Sequence, residues 1–162
     1  MGRRVRWLAW ECTLAMAIPG KLFPPTIPHA HIYIHTHFNP HRNVSESLKG
    51  EVQTNQRAEL TGVLRALEIV PRDRSVRIFS DSNYSINSCT VWYVNWQRNN
   101  WTTTQGQPVM NKDLVVAIRA LIDERDARGA KTHLEWIKGH SNDPGNVAAD
   151  KLAVAGAMAR RS

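Results

Sequence analysis

The chain has 162 residues and a formal net charge of +7, because 21 Lys and Arg outnumber 14 Asp and Glu. Its length indicates one domain with one core. The basic balance favours either a polyanionic partner such as nucleic acid or a solvated basic surface. Cys12 and Cys89 are far apart and lack CxxC spacing, so composition indicates neither a disulfide framework nor a zinc ribbon, and a reducing compartment is the simplest interpretation.

The N-terminal segment differs in composition from the rest of the chain. Residues 1–43 contain no Asp and a single Glu, Glu11, with prolines at 19, 24, 25, 28 and 40. Three arginines precede the apolar stretch Trp7–Ile18, as in a targeting peptide, but two tryptophans, Glu11 and the lack of a small-residue cleavage site favour a retained segment. No apolar run reaches the roughly 18 residues of a membrane span, so no membrane association is expected.

Five histidines near the end of this segment alternate with other residues: His29, His31, His35, His37 and His41. Alternating histidines on one face of a strand can bind Zn²⁺ or Ni²⁺. No acid or cysteine joins them, so the pattern gives a metal site little support.

From about residue 44 the pattern becomes regular. The spacing of Leu60, Val63, Leu64 and Leu67 predicts an amphipathic helix over Thr54–Ile69, stopped by Pro71. The segment "RSVRIFSDS" alternates and predicts a short strand that ends in Asp81. A helical stretch "SDSNYSINSCTVWYVNWQRNN", a loop "TTTQGQPV", a helix closed by Gly129 and a strand in "KTHLEWIKGH" follow.

The loop "GHSNDPGN" and a final helix from Val147 to about Met158 complete the pattern, whose order of elements predicts an α/β fold. In such a fold, sites form in the loops at the ends of parallel strands. Three acids and one histidine stand out: Glu59 on the predicted helix, Asp81 at the end of the strand, Asp150 in the first turn of the final helix and His140 in the loop before that helix. Taken singly, Glu59 is typical of a solvated helix residue, Asp81 of a helix N-cap, and Asp150 of an acid that favours the helix dipole.

The joint placement of these acids favours a shared site. Converging carboxylates repel one another unless cations neutralise them. Oxygen ligands without cysteine select Mg²⁺, with Mn²⁺ as the alternative. Two such ions about 4 Å apart can activate water and stabilise the leaving oxygen of a phosphodiester. A basic protein with an acidic metal pocket is therefore consistent with a nuclease.

The segments "TNQRAEL", "SDSNYSIN", "NWQRNNWTTTQGQPVMNKDL" and "WIKGHSNDPGNVAAD" together resemble type 1 ribonuclease H, which cuts the RNA strand of RNA–DNA hybrids. The resemblance runs from about Asn43 to Ala157. It implies a ribonuclease H-like fold, with a mixed five-stranded sheet flanked by helices. It divides the chain into a divergent N-terminal segment (1–30), a ribonuclease H domain (31–158) and a tail (159–162).

The resemblance also implies residue roles. Glu59, Asp81 and Asp150 match the family's metal-binding acids, and His140 matches a histidine that helps product leave or relays a proton. Four residues match substrate-binding positions. Thr54 and Asn111 match family positions that hold a DNA-strand phosphate, whereas Asn55 and Gln56 match positions that contact 2′-hydroxyls and bases in the minor groove. Three tryptophans fall where some members have a basic protrusion, which here keeps only Arg98, or they serve local packing: Trp92, Trp96 and Trp101.

The resemblance fails at the first strand. The family carries an aspartate there, in a "DGS"-like sequence, but this chain has no Asp before Asp73. Glu11 is the only upstream acid outside the match; it stands farther from Glu59 than the family's aspartate does and lacks the following glycine. "HIYIHTHF" is a candidate second strand. We therefore expect that residues 1 to about 30 do not reproduce the first strand of the family.

The resemblance implies an endoribonuclease that cuts RNA–DNA hybrids with Mg²⁺, expected to act as a monomer in the nucleus, cytoplasm or mitochondrion. The alternative is a non-catalytic nucleic-acid-binding module that keeps the hybrid groove and lacks a complete metal pocket. A third possibility is another nuclease or an integrase of the same fold. The motifs "TNQRAEL" and "GHSNDPGN" both argue against this third possibility.

Overall fold

The computed structural model describes residues 10–17, 30–36 and 44–138, with side chains for Glu46 and for 48–138. The strands are β1 (Trp10–Ala17), β2 (Ala30–Thr36), β3 (Val44–Ser47), β4 (Val76–Ser80) and β5 (Thr132–Trp136). The helices are α1 (Asn55–Ile69), α2 (Asn83–Asn87), a π-helical turn (Ser88–Trp92), α3 (Tyr93–Arg98) and α4 (Lys112–Ala127). Over this part of the chain, no helix combines the length and the hydropathy needed to cross a bilayer.

The described strands form one mixed sheet in the order β3-β1-β2-β4-β5. β1 pairs antiparallel with β2 and parallel with β3. β4 pairs antiparallel with β2 and parallel with β5. Because β4 and β5 are parallel, Asp81 and the chain that leaves β5 emerge at the same edge of the sheet.

The helix and strand predictions for residues 54–136 are confirmed, except that the predicted helix after β4 is interrupted. Helix α1 begins after the N-cap Thr54 and ends one residue before Val70, which Pro71 follows. Strand β4 shows the alternating burial that its sequence predicts. Helix α4 is followed by Gly129, whose φ of 76° is the left-handed conformation that glycine adopts without strain. The stretch predicted as one helix from residue 81 is instead interrupted by the π-helical turn.

Strand β1 is a feature that the sequence pattern did not indicate. β1 lies between β2 and β3, so both of its edges are paired. The sequence WECTLAMA does not keep the period-two alternation that identifies a half-buried strand, because its second half, LAMA, is entirely apolar. The candidate second strand within "HIYIHTHF" is confirmed as β2.

Helix α1 packs between the sheet and α4 to form the core. The buried apolar residues of α1 and α4 meet those of β4 and the π-helical turn in a single cluster: Leu60, Val63, Ala66, Leu67, Val70, Val76, Ile78, Cys89, Leu114, Val115, Ile118 and Ile122. This packing fixes α1 against the carboxyl end of β4. It therefore determines which side chain of α1 lies beside the segment that follows β4.

Arg125 is a charged residue inside this core. Its side chain is fully buried, although the surrounding sequence "IDERDARG" is typical of a solvated helix end. Its Nη1 donates to the carbonyl oxygens of Pro71 (2.6 Å) and Arg74 (3.0 Å), and its Nη2 donates to those of Leu67 (2.7 Å) and Val70 (2.6 Å). Arg125 therefore ties α4 to the C-terminal end of α1 and to the turn before β4.

We expect Arg125→Met to lower the free energy of unfolding by about 3 kcal/mol, because four carbonyl oxygens lose a charged donor. The matched control is Arg128→Met, which removes an exposed ion pair with Glu124 (2.8 Å) on the same helix and should cost less than about 1 kcal/mol. Urea denaturation followed by circular dichroism measures both. Equal losses in the two variants would contradict a clamping role for Arg125.

Candidate functional site

Glu59 and Asp81 are brought together by α1 and β4. Glu59 lies on the second turn of α1 and is half-buried. Asp81 follows the last residue of β4. Ser82, the next residue, donates a short hydrogen bond from its hydroxyl to Oε2 of Glu59. The structure therefore joins two of the three predicted acids through one serine.

Ser82, and not Asp81, is the N-cap of α2. The Ser82 hydroxyl accepts a hydrogen bond from the amide of Ser85 at 3.1 Å, as a capping side chain does. The interpretation of Asp81 as a helix cap is therefore wrong.

The electrostatics of Glu59 reflect its surroundings. Burial raises the pKa of Glu59 above its ordinary value, the hydrogen bond from Ser82 lowers it, and the negative charge of nearby Asp81 raises it again, with a net upward shift. Two carboxylates held this close in a partly desolvated place repel each other when both are ionised. A bound divalent cation would offset that repulsion, and carboxylate oxygens are the ligands that Mg²⁺ and Mn²⁺ prefer. The chemistry of the donors therefore fits such an ion.

Within residues 48–138, no three His, Cys, Asp or Glu side chains lie close enough together to hold a metal ion. Glu59 and Asp81 are thus a pair there. The predicted third ligand Asp150, the loop histidine His140 and the helix from Val147 all lie outside the described residues, as do the side chains of the histidine cluster.

Thr54 and Asn111, the predicted phosphate-binding residues, both stand at helix N-termini. Thr54 is the N-cap of α1 and accepts a hydrogen bond from the amide of Arg57 at 3.3 Å. Asn111 is the N-cap residue of α4, is largely buried, and has a left-handed φ of 57°. Helix N-termini present unpaired amide groups and a positive dipole end, which suits an anion.

Arg57 connects these two helix ends. Its Nη1 donates to Oδ1 of Asn111 at 3.3 Å, and its guanidinium forms a two-pronged ion pair with Asp113 at 2.6 and 3.1 Å. The hydrogen bonds from Arg57 lower the pKa of Asp113. On its other side Asn111 donates to the Tyr84 hydroxyl at 3.4 Å. The side-chain amide of Asn111 is therefore held from two directions.

Asn55 and Gln56, the residues predicted to contact the minor groove, form the first turn of α1. Gln56 is exposed and Asn55 is half-buried. Because Asn55 and Glu59 are four residues apart on one helix, they lie on the same face. Residues assigned to hybrid contact and to metal binding thus share the start of α1.

The three tryptophans form a chain of ring contacts. Trp92 and Trp96 have ring centroids 5.8 Å apart, and Trp96 and Trp101 have centroids 6.3 Å apart. Local packing thus accounts for much of their placement. Trp92 remains 38% exposed. The cluster also has a basic neighbour, because the Lys112 ammonium lies 5.6 Å from the centre of a Trp101 ring.

Strand register bears on whether Glu11 replaces the missing aspartate. Glu11 pairs with His35 of β2, and His35 pairs with Arg77 of β4. The position on β1 that is level with Ser80, next to Asp81, is Leu14. The backbone of Glu11 is therefore two strands and three residues away from the end of β4. This placement does not favour a contribution of Glu11 to the pair of acids.

Sequence reasoning assigned no role to Ser82, Arg57 or Trp136. Ser82 lies within the motif "SDSNYSIN", and Arg57 lies within "TNQRAEL". A serine directly before a helix is a capping signal, so the sequence could have indicated the capping role of Ser82. No local pattern indicates that the Trp136 indole donates to the carbonyl oxygen of Asp81 at 3.1 Å.

Comparison with known proteins identifies the class of this fold and site. The sequence profile of the RNase H family matches residues 28–158. A structure of the foamy viral protease-reverse transcriptase in complex with dsDNA superposes with a TM-score of 0.67 and 21% identity, over 98% of this chain and 99% of that chain. The solution structure of the PFV RNase H domain gives a TM-score of 0.58 and 22% identity, over 93% of this chain and 96% of that chain. These likenesses define a ribonuclease H-like fold.

Sequence relatives agree with this class. A ribonuclease H of Schizosaccharomyces pombe is 47% identical over 116 residues, which are 72% of this chain and 41% of the yeast protein. A ribonuclease H of Rickettsia felis is 41% identical over 103 residues, 64% of each protein. A ribonuclease HI of Rickettsia prowazekii is 38% identical over 122 residues, 74% of this chain and 75% of the relative. The chain thus belongs to the ribonuclease H family, and it spans less than two thirds of the yeast and R. felis relatives.

Proposed function

We propose that this protein is an endoribonuclease that cuts the RNA strand of RNA–DNA hybrids by hydrolysis with a divalent cation. The observation that carries the proposal is the pair of acids at the carboxyl edge of the sheet, Glu59 and Asp81, where Ser82, the residue after Asp81, donates a hydrogen bond to Glu59. Family membership supports the same activity.

In this proposal Glu59, Asp81 and Asp150 hold Mg²⁺, or Mn²⁺ as the alternative. Bound there, a divalent cation supplies a water nucleophile at neutral pH and offsets the charge on the leaving oxygen. Ser82 keeps the Glu59 carboxylate turned toward Asp81 through its hydrogen bond. His140 assists product release or moves a proton, as the family resemblance implies.

The substrate contacts follow from the helix ends. Thr54 and Asn111 bind a phosphate of the DNA strand at the N-termini of α1 and α4, where Arg57 and Tyr84 hold Asn111 in place. Asn55 and Gln56 contact the minor groove, where the 2′-hydroxyl distinguishes RNA from DNA. Net charge of +7 favours the approach of any nucleic acid, so selection of the hybrid depends on these contacts.

A second candidate function is a non-catalytic binding module of the same fold. The observation that favours it is the absence of any Asp before Asp73, which removes the family's first-strand ligand. The register of Glu11, two strands from β4, supports it further. In that case the hybrid groove is retained and cleavage is slow or absent.

A binding experiment tests the assignment of the hybrid as substrate. Filter binding in EDTA should give a tighter Kd for an RNA–DNA hybrid than for double-stranded DNA of the same sequence, because Asn55 and Gln56 read the 2′-hydroxyl. Affinity should fall steeply with salt as counterions are released. Asn55→Ala with Gln56→Ala should remove the preference.

The matched control replaces Asn99 and Asn100 with Ala, an exposed Asn pair in the turn after α3. That variant should keep the preference for hybrid. Adding Mg²⁺ to the bound hybrid then separates a nuclease from a binding module by the appearance of RNA fragments with 5′-phosphates. Equal affinity of the parent protein for both duplexes would remove the hybrid from the proposal.

A further inference from the structure

Trp136 is the last residue of β5 and lies beside the segment that carries Asp81. Its indole Nε1 donates to the carbonyl oxygen of Asp81 at 3.1 Å, although 52% of the residue is exposed. A tryptophan buried in a core is held by apolar contacts, whereas this one is half in water and has a specific polar partner. Its placement is therefore tied to the Asp81 backbone.

The segment from Ser80 to Ser82 is held by several hydrogen bonds. The amide of Ile137 donates to the carbonyl oxygen of Ser80 at 3.0 Å, and the amide of Ser82 donates to the Ser80 hydroxyl at 3.1 Å. The Trp136 indole holds the next carbonyl group along the chain. Trp136, the last residue of β5, and Ile137, the residue after it, therefore bind the peptide units on either side of the Asp81 α-carbon.

The Asp81 carbonyl belongs to the same rigid peptide plane as the amide of Ser82. Holding that carbonyl group in place therefore also orients the backbone amide of Ser82. Ser82 in turn donates its hydroxyl hydrogen to the Glu59 carboxylate. A single indole N–H is thus connected to both acids, to Asp81 through its own peptide and to Glu59 through Ser82.

We infer that Trp136 is a positioning residue for the Glu59 and Asp81 pair, an inference that rests on the proposed function. Without the indole N–H, the peptide after Asp81 keeps only the hydrogen bond from its amide to the Ser80 hydroxyl, and the two carboxylates are held less firmly in their relative direction. Hydrogen-bond partners behind metal-binding groups typically contribute a factor of about ten or more to metal affinity. Trp136 thus sets how tightly the acids hold a divalent cation.

The experiment measures Mn²⁺ binding to the full chain by titration calorimetry, without nucleic acid. Trp136→Phe keeps an aromatic ring and removes the N–H. Benzothienylalanine introduced at position 136 alone keeps the ring size and replaces N–H with sulphur. Both proteins should bind Mn²⁺ about tenfold more weakly than the parent. His133→Ala, an exposed change on the same strand, is the control and should keep the affinity of the parent.

Four outcomes are distinguishable. Weaker Mn²⁺ binding by both Trp136 variants, with Tm within a few degrees of the parent, supports the inference. Unchanged affinity in the benzothienylalanine protein overturns it, because the ring alone then suffices. Loss of affinity in Asp81→Asn with no loss in either Trp136 variant leaves the proposed function intact and overturns the positioning role. If the parent binds no Mn²⁺ at millimolar concentration, both the metal site and its positioning residue are contradicted.

Discussion

Asp81→Asn should reduce cleavage of an RNA–DNA hybrid by about a thousandfold, because it removes one charge from the carboxylate pair that holds the cation. Folding should survive, since Ser82 and not Asp81 caps α2, and since Trp136 and Ile137 bind the backbone on either side of Asp81. Single-turnover cleavage of an end-labelled hybrid in Mg²⁺ measures the rate, and circular dichroism measures the fold.

The control for Asp81→Asn is Asp123→Asn. Asp123 is exposed on α4 and pairs with Arg119 one turn earlier at 2.6 Å, so the substitution removes the same charge far from the pair of acids. Its cleavage rate should equal that of the parent. If Asp81→Asn cuts hybrid as fast as Asp123→Asn does, the assignment of Asp81 to the reaction is wrong. Both substitutions are made in the parent and in the first-strand chimera described next, so that a measurable rate is available.

Restoring a first-strand aspartate should raise the cleavage rate by about a hundredfold or more, in the range that single ligand or electrostatic groups contribute to catalysis. The chain as it stands has no Asp before Asp73, and the register of β1 places Glu11 two strands away from β4. We therefore expect the parent to bind hybrid and to cut it slowly or not at all in Mg²⁺.

The chimera replaces residues 1–29 with a strand that carries the "DGS" sequence, so that β2 stays intact from Ala30 onward. Its matched control carries "NGS" at the same place, which differs by one charge and adds the same strand to the sheet. Cleavage by the first and not by the second supports the need for a first-strand carboxylate. A folded "DGS" chimera that cuts no better than its "NGS" control contradicts it.

Glu11→Gln completes the comparison in the parent chain. Robust cleavage by the parent that persists in Glu11→Gln would show that no upstream carboxylate is required. Cleavage that is lost in Glu11→Gln would instead show that Glu11 reaches the pair of acids despite its register. Far-ultraviolet circular dichroism of each protein separates an effect on the site from a loss of the sheet.

The elements between residues 54 and 136 were largely determined by local sequence. The period of Leu60, Val63 and Leu67 with Pro71 behind it defines α1, and alternation defines β4. Each of these signals acts over a few residues, because side-chain burial follows the repeat of the helix or strand. The acids Glu59 and Asp81 were singled out by their joint placement and by the resemblance of the motifs "TNQRAEL" and "SDSNYSIN", each a continuous stretch of sequence.

The tertiary structure alone decided how the residues around those acids are used. Ser82 and Glu59 are 23 positions apart in the sequence, Arg57 and Asn111 are 54 apart, and Trp136 and Asp81 are 55 apart. No periodicity encodes such pairs, because they exist only when α1, α4 and β5 are packed beside β4. Arg125 illustrates the same limit, since it lies in a charged stretch of sequence and yet is fully buried among backbone carbonyls supplied by distant residues. Strand β1 was not predicted either, because its sequence does not keep the period-two alternation throughout and the strand is defined by its pairing with β2 and β3.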